Sequence, residues 1–311
     1  MRTYLMPLGT AVLWGLNYHF AKRMVGEASF AEAGFWRYAI AVAVLALAGA
    51  RSLPPWRKVR RAVPSVLRIG SLALFGFNLG YFLGLRTTSA LNASLIMALN
   101  PATTVVLSSV WLGTRIVPVH VVGLMVSLAG VAYLIFDGSP SAALALDVNG
   151  GDAFILGANL CFAVHHVLVK RDGGALPNAP FTWLVNVACL LSFVLLATVL
   201  AEPPSLRHSG GFWGAALGFG ALGTALAYLL WNAGVARLGA DTSALFLNVA
   251  PLATAAGAVV LGEPLEGRHF VSGALVLGGL LLSQLPVLRS RALAAAVSRA
   301  PPSPPGGDSG R

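Results

Sequence analysis

The chain has 311 residues, of which 57% are hydrophobic and 10% charged, far below the roughly one quarter of charged residues that covers a soluble domain. Its formal charge of +10 comes from bases clustered between apolar runs, a placement that suits lipid headgroups and argues against nucleic acid as a partner. The two cysteines, Cys161 and Cys189, lie inside apolar runs, so neither a disulfide framework nor a thiolate metal site is expected, and no cofactor is called for.

Breaks at charged or Pro/Gly clusters divide the chain into ten apolar segments that read as membrane helices: 4–22, 31–50, 68–86, 91–111, 119–136, 152–169, 181–200, 212–232, 241–261 and 270–288. The first begins like a secretory signal, but no small-x-small cleavage site follows, and it is kept as a helix. At about 100° per residue, Thr10, Trp14, Asn17 and Tyr18 share one sector of it, with His19 outside. The second segment carries Arg37, an intramembrane base expected to serve backbone carbonyls or helix ends. In the third, Gly76, Gly80 and Gly84 form a flat stripe for close helix packing. Asn78 and Tyr81 lie opposite, and because an amide facing lipid is costly, that side is assigned to a cavity.

The fourth segment contains Asn100-Pro101. A proline there frees the Met97 carbonyl, for which Asn100 is a nearby donor, and a simple kink is the competing reading. The stretch 137–151 carries acids and no base and is read as an external linker between the segments before and after it. In the sixth segment LGANLCFAVHHVLVKR, at 156–171, repeats LGTAVLWGLNYHFAKR, at 8–23; it places Ala158, Phe162, His165 and His166 on the matching face, with Asn159 beside them. The eighth has Gly214 and Gly218 on one side and Thr224, Tyr228 and Trp231 on the other. The ninth contains Ala250-Pro251, with the Leu247 carbonyl freed and Asn248 close by. The tail, 289–311, is rich in Pro, Gly and Ser and is expected to be disordered and cytoplasmic.

These echoes imply two repeats, 1–136 and 152–288. With five spans each they are inverted relative to one another, which is the architecture of a transporter. The expected fold is an all-α integral membrane protein whose ten helices surround a central cavity. The cavity is lined by Trp14, Asn17, Tyr18, Asn78, Tyr81, Asn100, Phe162, His165, His166, Tyr228, Trp231 and Asn248, with Pro101 and Pro251 as hinges. The same aromatics could also be ordinary core or interfacial belt residues. Lysine and arginine favour one side by about three to one, which places both termini in the cytoplasm. All acids fall in loops or near helix ends, so carboxylate-based proton coupling and permanently cationic substrates are disfavoured; His165 and His166 are the remaining titratable pair. A neutral or zwitterionic small molecule with an apolar side chain fits this lining.

The segments ALNPATTVVLSSVWLG, FLNVAPLATAAGAVVLGEPL, FWRYAIAVAVLAL and VLWGLNYHFAKR resemble the drug/metabolite transporter superfamily, specifically its ten-helix EamA-type exporters, over positions 4 to 288. The resemblance implies export across the bacterial inner membrane. The branch it looks most like exports neutral amino acids, aromatic ones included, possible without a coupling ion. Thr114-Arg115 departs from the pattern that the second repeat keeps as Gly262-Glu263, so a role for that acid does not carry to the first half. A broader drug or metabolite exporter, with protons coupled through histidine, is the alternative. An intramembrane enzyme built on His165-His166 lacks any residue at a spacing that would orient the pair, and the chain is not read as an enzyme.

Overall fold

The computed structural model describes residues 3–49, 54–113, 118–136, 149–172, 176–238 and 246–279, with single positions at 139, 281, 282 and 285. Every regular element among the described residues is helical. In chain order these are α1 (Leu5–Val25), α2 (Phe30–Gly49), α3 (Trp56–Leu85), α4 (Ala90–Leu112), α5 (Pro118–Ile135), α6 (Gly150–Asp172) and α7 (Asn178–Val199). Then come α8, which runs on through Gly210–Leu217, Gly218–Leu226 and Ala227–Leu238, α9 (Val249–Val260, preceded by the single turn Phe246–Asn248) and α10 (267–279).

Six of the described helices, α2, α3, α4, α6, α7 and α8, are long and apolar enough to cross a membrane, and α5 and α9 are shorter apolar helices. A helix satisfies its own backbone, which is what hydrocarbon demands. Large aliphatic side chains such as Leu72, Val110 and Leu195 point outward, a surface suited to lipid. The helix ends are set by local chemistry. The Ser89 and Ser209 hydroxyls cap the first turns of α4 and α8, accepting from the amides of Asn92 at 3.0 Å and Phe212 at 3.1 Å. Past the last turns of α4 and α9, Gly113 and Gly262 take φ of 66° and 77°, a left-handed conformation that glycine adopts without strain.

The third helix begins well before the expected position 68. The cluster of bases at 57–61, read as a loop, instead belongs to an amphipathic stretch of about three turns, Trp56–Leu67, that buries Val59, Ala62 and Val66 and exposes Arg57, Lys58, Arg60 and Arg61. Both α3 and α8 change to wide π-type turns partway along, over Arg68–Leu74 and Gly218–Leu226. Within them Gly70 and Gly220 allow close approach: a Cβ on Gly70 would lie 2.5 Å from the Val185 carbonyl of α7, and one on Gly220 would lie 2.8 Å from the Arg37 carbonyl of α2.

The bundle is built from a few dominant pairs. The first helix packs on α8 and α9, α6 packs on α3 and α4, and α2 packs on both α7 and α8, while α7 also meets α3. The glycine stripe of α3 faces α6, where Gly76 meets Cys161, Gly80 meets Ala158, and Gly84 meets Ile155. In α8, by contrast, Gly218 faces Phe20 while Gly214 has open space around it. The tail 289–311, most of the linker 137–151, residues 241–245 and Thr114-Arg115 lie outside the described residues.

Candidate functional site

The face of α1 predicted from the repeat is held against α8 by two side chains. Thr10 Oγ1 donates to the Ala227 carbonyl at 3.1 Å, and Asn17 Nδ2 donates to the Gly223 carbonyl at 3.1 Å, an approach that leaves no room for a Cβ at Gly223. Between these anchors the Trp14 ring meets Trp231 at 5.5 Å and Tyr228 at 5.8 Å. One turn further on, Tyr18 meets Tyr81 of α3 at 5.4 Å. Tyr81 in turn touches Phe77, which stacks on Phe162 of α6 at 4.5 Å, and Phe162 carries His166 at 4.3 Å and His165 at 5.6 Å. The structure thus joins Trp14, Tyr18, Tyr81, Phe162, His165, His166, Tyr228 and Trp231 in two adjoining aromatic clusters along one face of α1.

Two polar atoms within this region have no partner. Asn17 Oδ1 and His165 Nδ1 are both buried and make no hydrogen bond. They occupy equivalent places in the repeated segments, 148 positions apart, as do Trp14 and Phe162. Asn17 Oδ1 lies against Gly223 of α8, and the His165 ring lies beside those of Phe162 and His166; buried polar atoms are normally satisfied, which sets this matched pair apart.

Asn78 has a different assignment from the cavity wall expected of it. It is fully buried, and its amide oxygen accepts from Arg37 Nη1, while its Nδ2 donates to the Tyr38 hydroxyl at 2.6 Å and the Leu74 carbonyl at 2.7 Å. With that both of its donors are used and its oxygen is engaged. Arg37 also differs from expectation, because its partners are side chains: Nε donates to Thr224 Oγ1 at 3.1 Å, and the guanidinium lies 3.8 Å from the centre of the Phe219 ring. Thr224 therefore serves Arg37, while Tyr228 and Trp231, its neighbours on the same face, serve Trp14. The hydrophobic spacing could not show this, because Arg37, Asn78 and Thr224 come from three helices.

The proline sites are also resolved differently. The fourth helix breaks at a turn around Ala98 and Leu99, and Pro101 opens the part that follows, Asn100–Leu112. The freed Met97 carbonyl is taken by Asn159, whose Nδ2 donates to it at 3.4 Å and to the Ile96 carbonyl at 3.2 Å, and Asn100 Nδ2 answers by donating to the Asn159 carbonyl at 3.0 Å. Asn100 thus ties α4 to α6 and does not serve Met97. Pro251 is buried in the first turn of α9, where Thr254 Oγ1 donates to the Gly15 carbonyl at 2.9 Å. The Asn248 side chain lies outside the described residues. Replacing Asn159 by alanine is expected to cost about 1–3 kcal/mol by stranding the Met97 carbonyl. The loss should shrink in a Pro101→Ala background, where residue 101 regains an N–H for Met97, and unfolding of the four variants in mild detergent reads the difference.

Among the described residues every carboxylate sits in a loop or at a helix end. Glu32, in the first turn of α2, accepts from His208 Nε2 at 2.8 Å and the Ser205 amide at 2.5 Å; Asp152, in the first turn of α6, accepts from the Thr88 hydroxyl. No group of three or more metal-ligating side chains is found among the described residues.

Comparison with known proteins adds the following. The profile of the EamA-like transporter family matches residues 1–136 and again 149–285. An uncharacterized transporter of Bacillus subtilis is 30% identical over 290 residues, covering 90% of this chain and 93% of that one. A probable terminal-alkyne amino-acid exporter of Streptantibioticus cattleyicolor is 28% identical over 290 residues, covering 88% and 90%, and an aromatic amino acid exporter of Ancylobacter novellus is 28% identical over 217 residues, covering 68% and 73%. A solved crystal structure has the same fold, with a TM-score of 0.63 at 24% identity over 91% of this chain and 97% of that one.

Proposed function

Because this chain belongs to the EamA-like transporter family and is a multi-pass membrane protein, we propose that it exports neutral amino acids, aromatic ones included, by alternating access and without a coupling ion. The observation that carries the reading is the pair of open polar atoms, Asn17 Oδ1 and His165 Nδ1, on the two repeated segments whose rings, Trp14, Tyr18 and Phe162, build the aromatic clusters. Aromatic faces suit an apolar or aromatic side chain, and the two open atoms suit a polar, uncharged or zwitterionic head. Two relatives whose names specify amino-acid export favour the same class of substrate.

The architecture in this reading is ten helices in two inverted repeats, 1–136 and 152–288, with both termini on the cytoplasmic side of the inner membrane. The packing supports it. Exchanging each helix for its counterpart five places along converts the contact of α1 with α8 into that of α6 with α3, and the contact of α1 with α9 into that of α6 with α4. The family profile likewise matches twice. Uniport is supported by the position of the described carboxylates, none of which lies in the middle of a helix.

The test is uptake of labelled phenylalanine by the purified protein in liposomes, with and without a proton gradient. Saturable uptake that persists without the gradient is expected, reduced about tenfold in Trp14→Ala or His165→Ala, roughly the loss of one good contact. Uptake that requires the gradient would transfer the coupling to His165 and His166, and no uptake by folded, inserted protein would replace amino acids with another class of metabolite.

A further inference from the structure

A cavity of about 310 Å³ opens between the end of α1 and the turn after α9, and its walls include His19, Lys22, Arg23, Glu27 and Glu263. The backbone places Glu263 there. After the left-handed Gly262, the Glu263 amide donates to the Ala258 carbonyl at 2.9 Å and the Gly262 amide to the Val259 carbonyl at 3.1 Å, a closed cap that fixes where the next side chain begins.

His19 is 8% exposed, and its Nε2 lies 2.8 Å from the Thr254 carbonyl. A carbonyl can only accept, so Nε2 donates to it and Nδ1 is the ring nitrogen left toward the cavity. Nδ1 has no hydrogen-bond partner, and the nearest acid oxygen, Glu263 Oε1, stands 3.9 Å away. Nδ1 and the carboxylate face each other across a gap too wide for a hydrogen bond. With Nδ1 as an acceptor, a cationic group with several N–H bonds satisfies both at once. The bases beside them complete the pattern. Arg23 is held by Glu27 at 2.9 Å, and the Ser209 hydroxyl, donating to Glu27 at 2.7 Å, keeps that carboxyl below the usual carboxylate range. Lys22 donates to the carbonyls of Leu85 at 2.8 Å and Thr88 at 2.6 Å, which leaves the third N–H of its ammonium group uncommitted.

Resting on the amino-acid reading above, we infer that this mouth is a second station for the zwitterion: its ammonium group bridges His19 Nδ1 and Glu263, and its carboxylate meets Lys22. At 1.5 Å per residue Lys22 lies about 12 Å along α1 from Trp14, close enough for a solute to pass from the aromatic clusters to the mouth in one step.

The experiment is ¹⁵N NMR of the full chain in lipid nanodiscs, with the His19 resonance assigned by its loss in His19→Gln, titrated with L-phenylalanine and with 3-phenylpropionate, which lacks the amine. The Nδ1 signal is expected to be that of an unprotonated nitrogen and to shift with phenylalanine only, with half-saturation raised about tenfold in Glu263→Gln. Lys22→Met should weaken phenylalanine binding while leaving the preference for the amine. A protonated Nδ1 in the free protein, an equal shift with both compounds, or no change in Glu263→Gln would overturn the inference. Liposome uptake by the same preparation separates the two readings. Uptake without a His19 shift removes the mouth station alone, and a shift without uptake removes the transport reading alone.

Discussion

Arg37→Ala is expected to destabilise the bundle by about 3–5 kcal/mol, the largest effect of any single polar substitution here, because two hydrogen bonds to a charged group are lost where water cannot replace them. The guanidinium joins α2 to α8 through Thr224 and to α3 through Asn78, and Asn78 passes the connection to Tyr38 and to the Leu74 carbonyl. Removing the donor strands the Asn78 oxygen in a fully buried site. Lysine retains the charge but presents a point donor on a flexible stem, so it cannot span Thr224 and Asn78 while keeping its charge over Phe219. Arg37→Lys should therefore recover less than half of the loss in denaturant titrations in mixed micelles. A lysine variant as stable as the wild type would show that charge alone, and not the fork, holds the three helices.

Gly84→Leu should prevent assembly of a monodisperse bundle, while Gly157→Leu should leave it intact. The two glycines lie on facing helices but differ in what surrounds them. A Cβ at Gly84 would stand 2.7 Å from Ile155 Cδ1 and 2.8 Å from the Gly151 carbonyl, whereas nothing lies within 4 Å of one at Gly157. Side chains can move aside for about 1–3 kcal/mol, but the carbonyl belongs to a helix and cannot. Relief requires α3 and α6 to separate, and the Phe77–Phe162 stack, at 4.5 Å, is lost with them. Size-exclusion profiles and thermal unfolding of the two variants decide the matter, and equal behaviour would mean that the stripe does not set the spacing of these helices.

The sequence was most legible where one helix suffices to make the argument. The glycine stripe of α3 and the shared face of Trp14, Asn17 and Tyr18 follow from helical spacing alone, and the repeat of LGTAVLWGLNYHFAKR directed attention to Phe162 and His165 before any contact was known. What could not be read depends on pairing across helices. Arg37 finds Asn78 and Thr224, 41 and 187 residues away, and no periodicity reports such distances. Asn100 was matched with Met97 because it is near in sequence, yet the donor comes from Asn159 on α6. The early start of α3 was missed because its bases interrupt the apolar run. The signal was present in Val59, Ala62 and Val66, which recur at helical spacing beneath the charges. His19 lies outside the aromatic sector of α1, and only the fold shows that it faces Glu263 instead.

The wide turns at Arg68–Leu74 and Gly218–Leu226 also bear on how the helices meet. A π-type turn holds more residues than an α-turn, so it widens the helix locally and re-aims the side chains around it. In each a glycine, Gly70 or Gly220, lies against a backbone carbonyl of the neighbouring helix. On the two-repeat reading the two turns are one feature seen twice, a place in each half where a partner's backbone enters ground that any side chain would occupy.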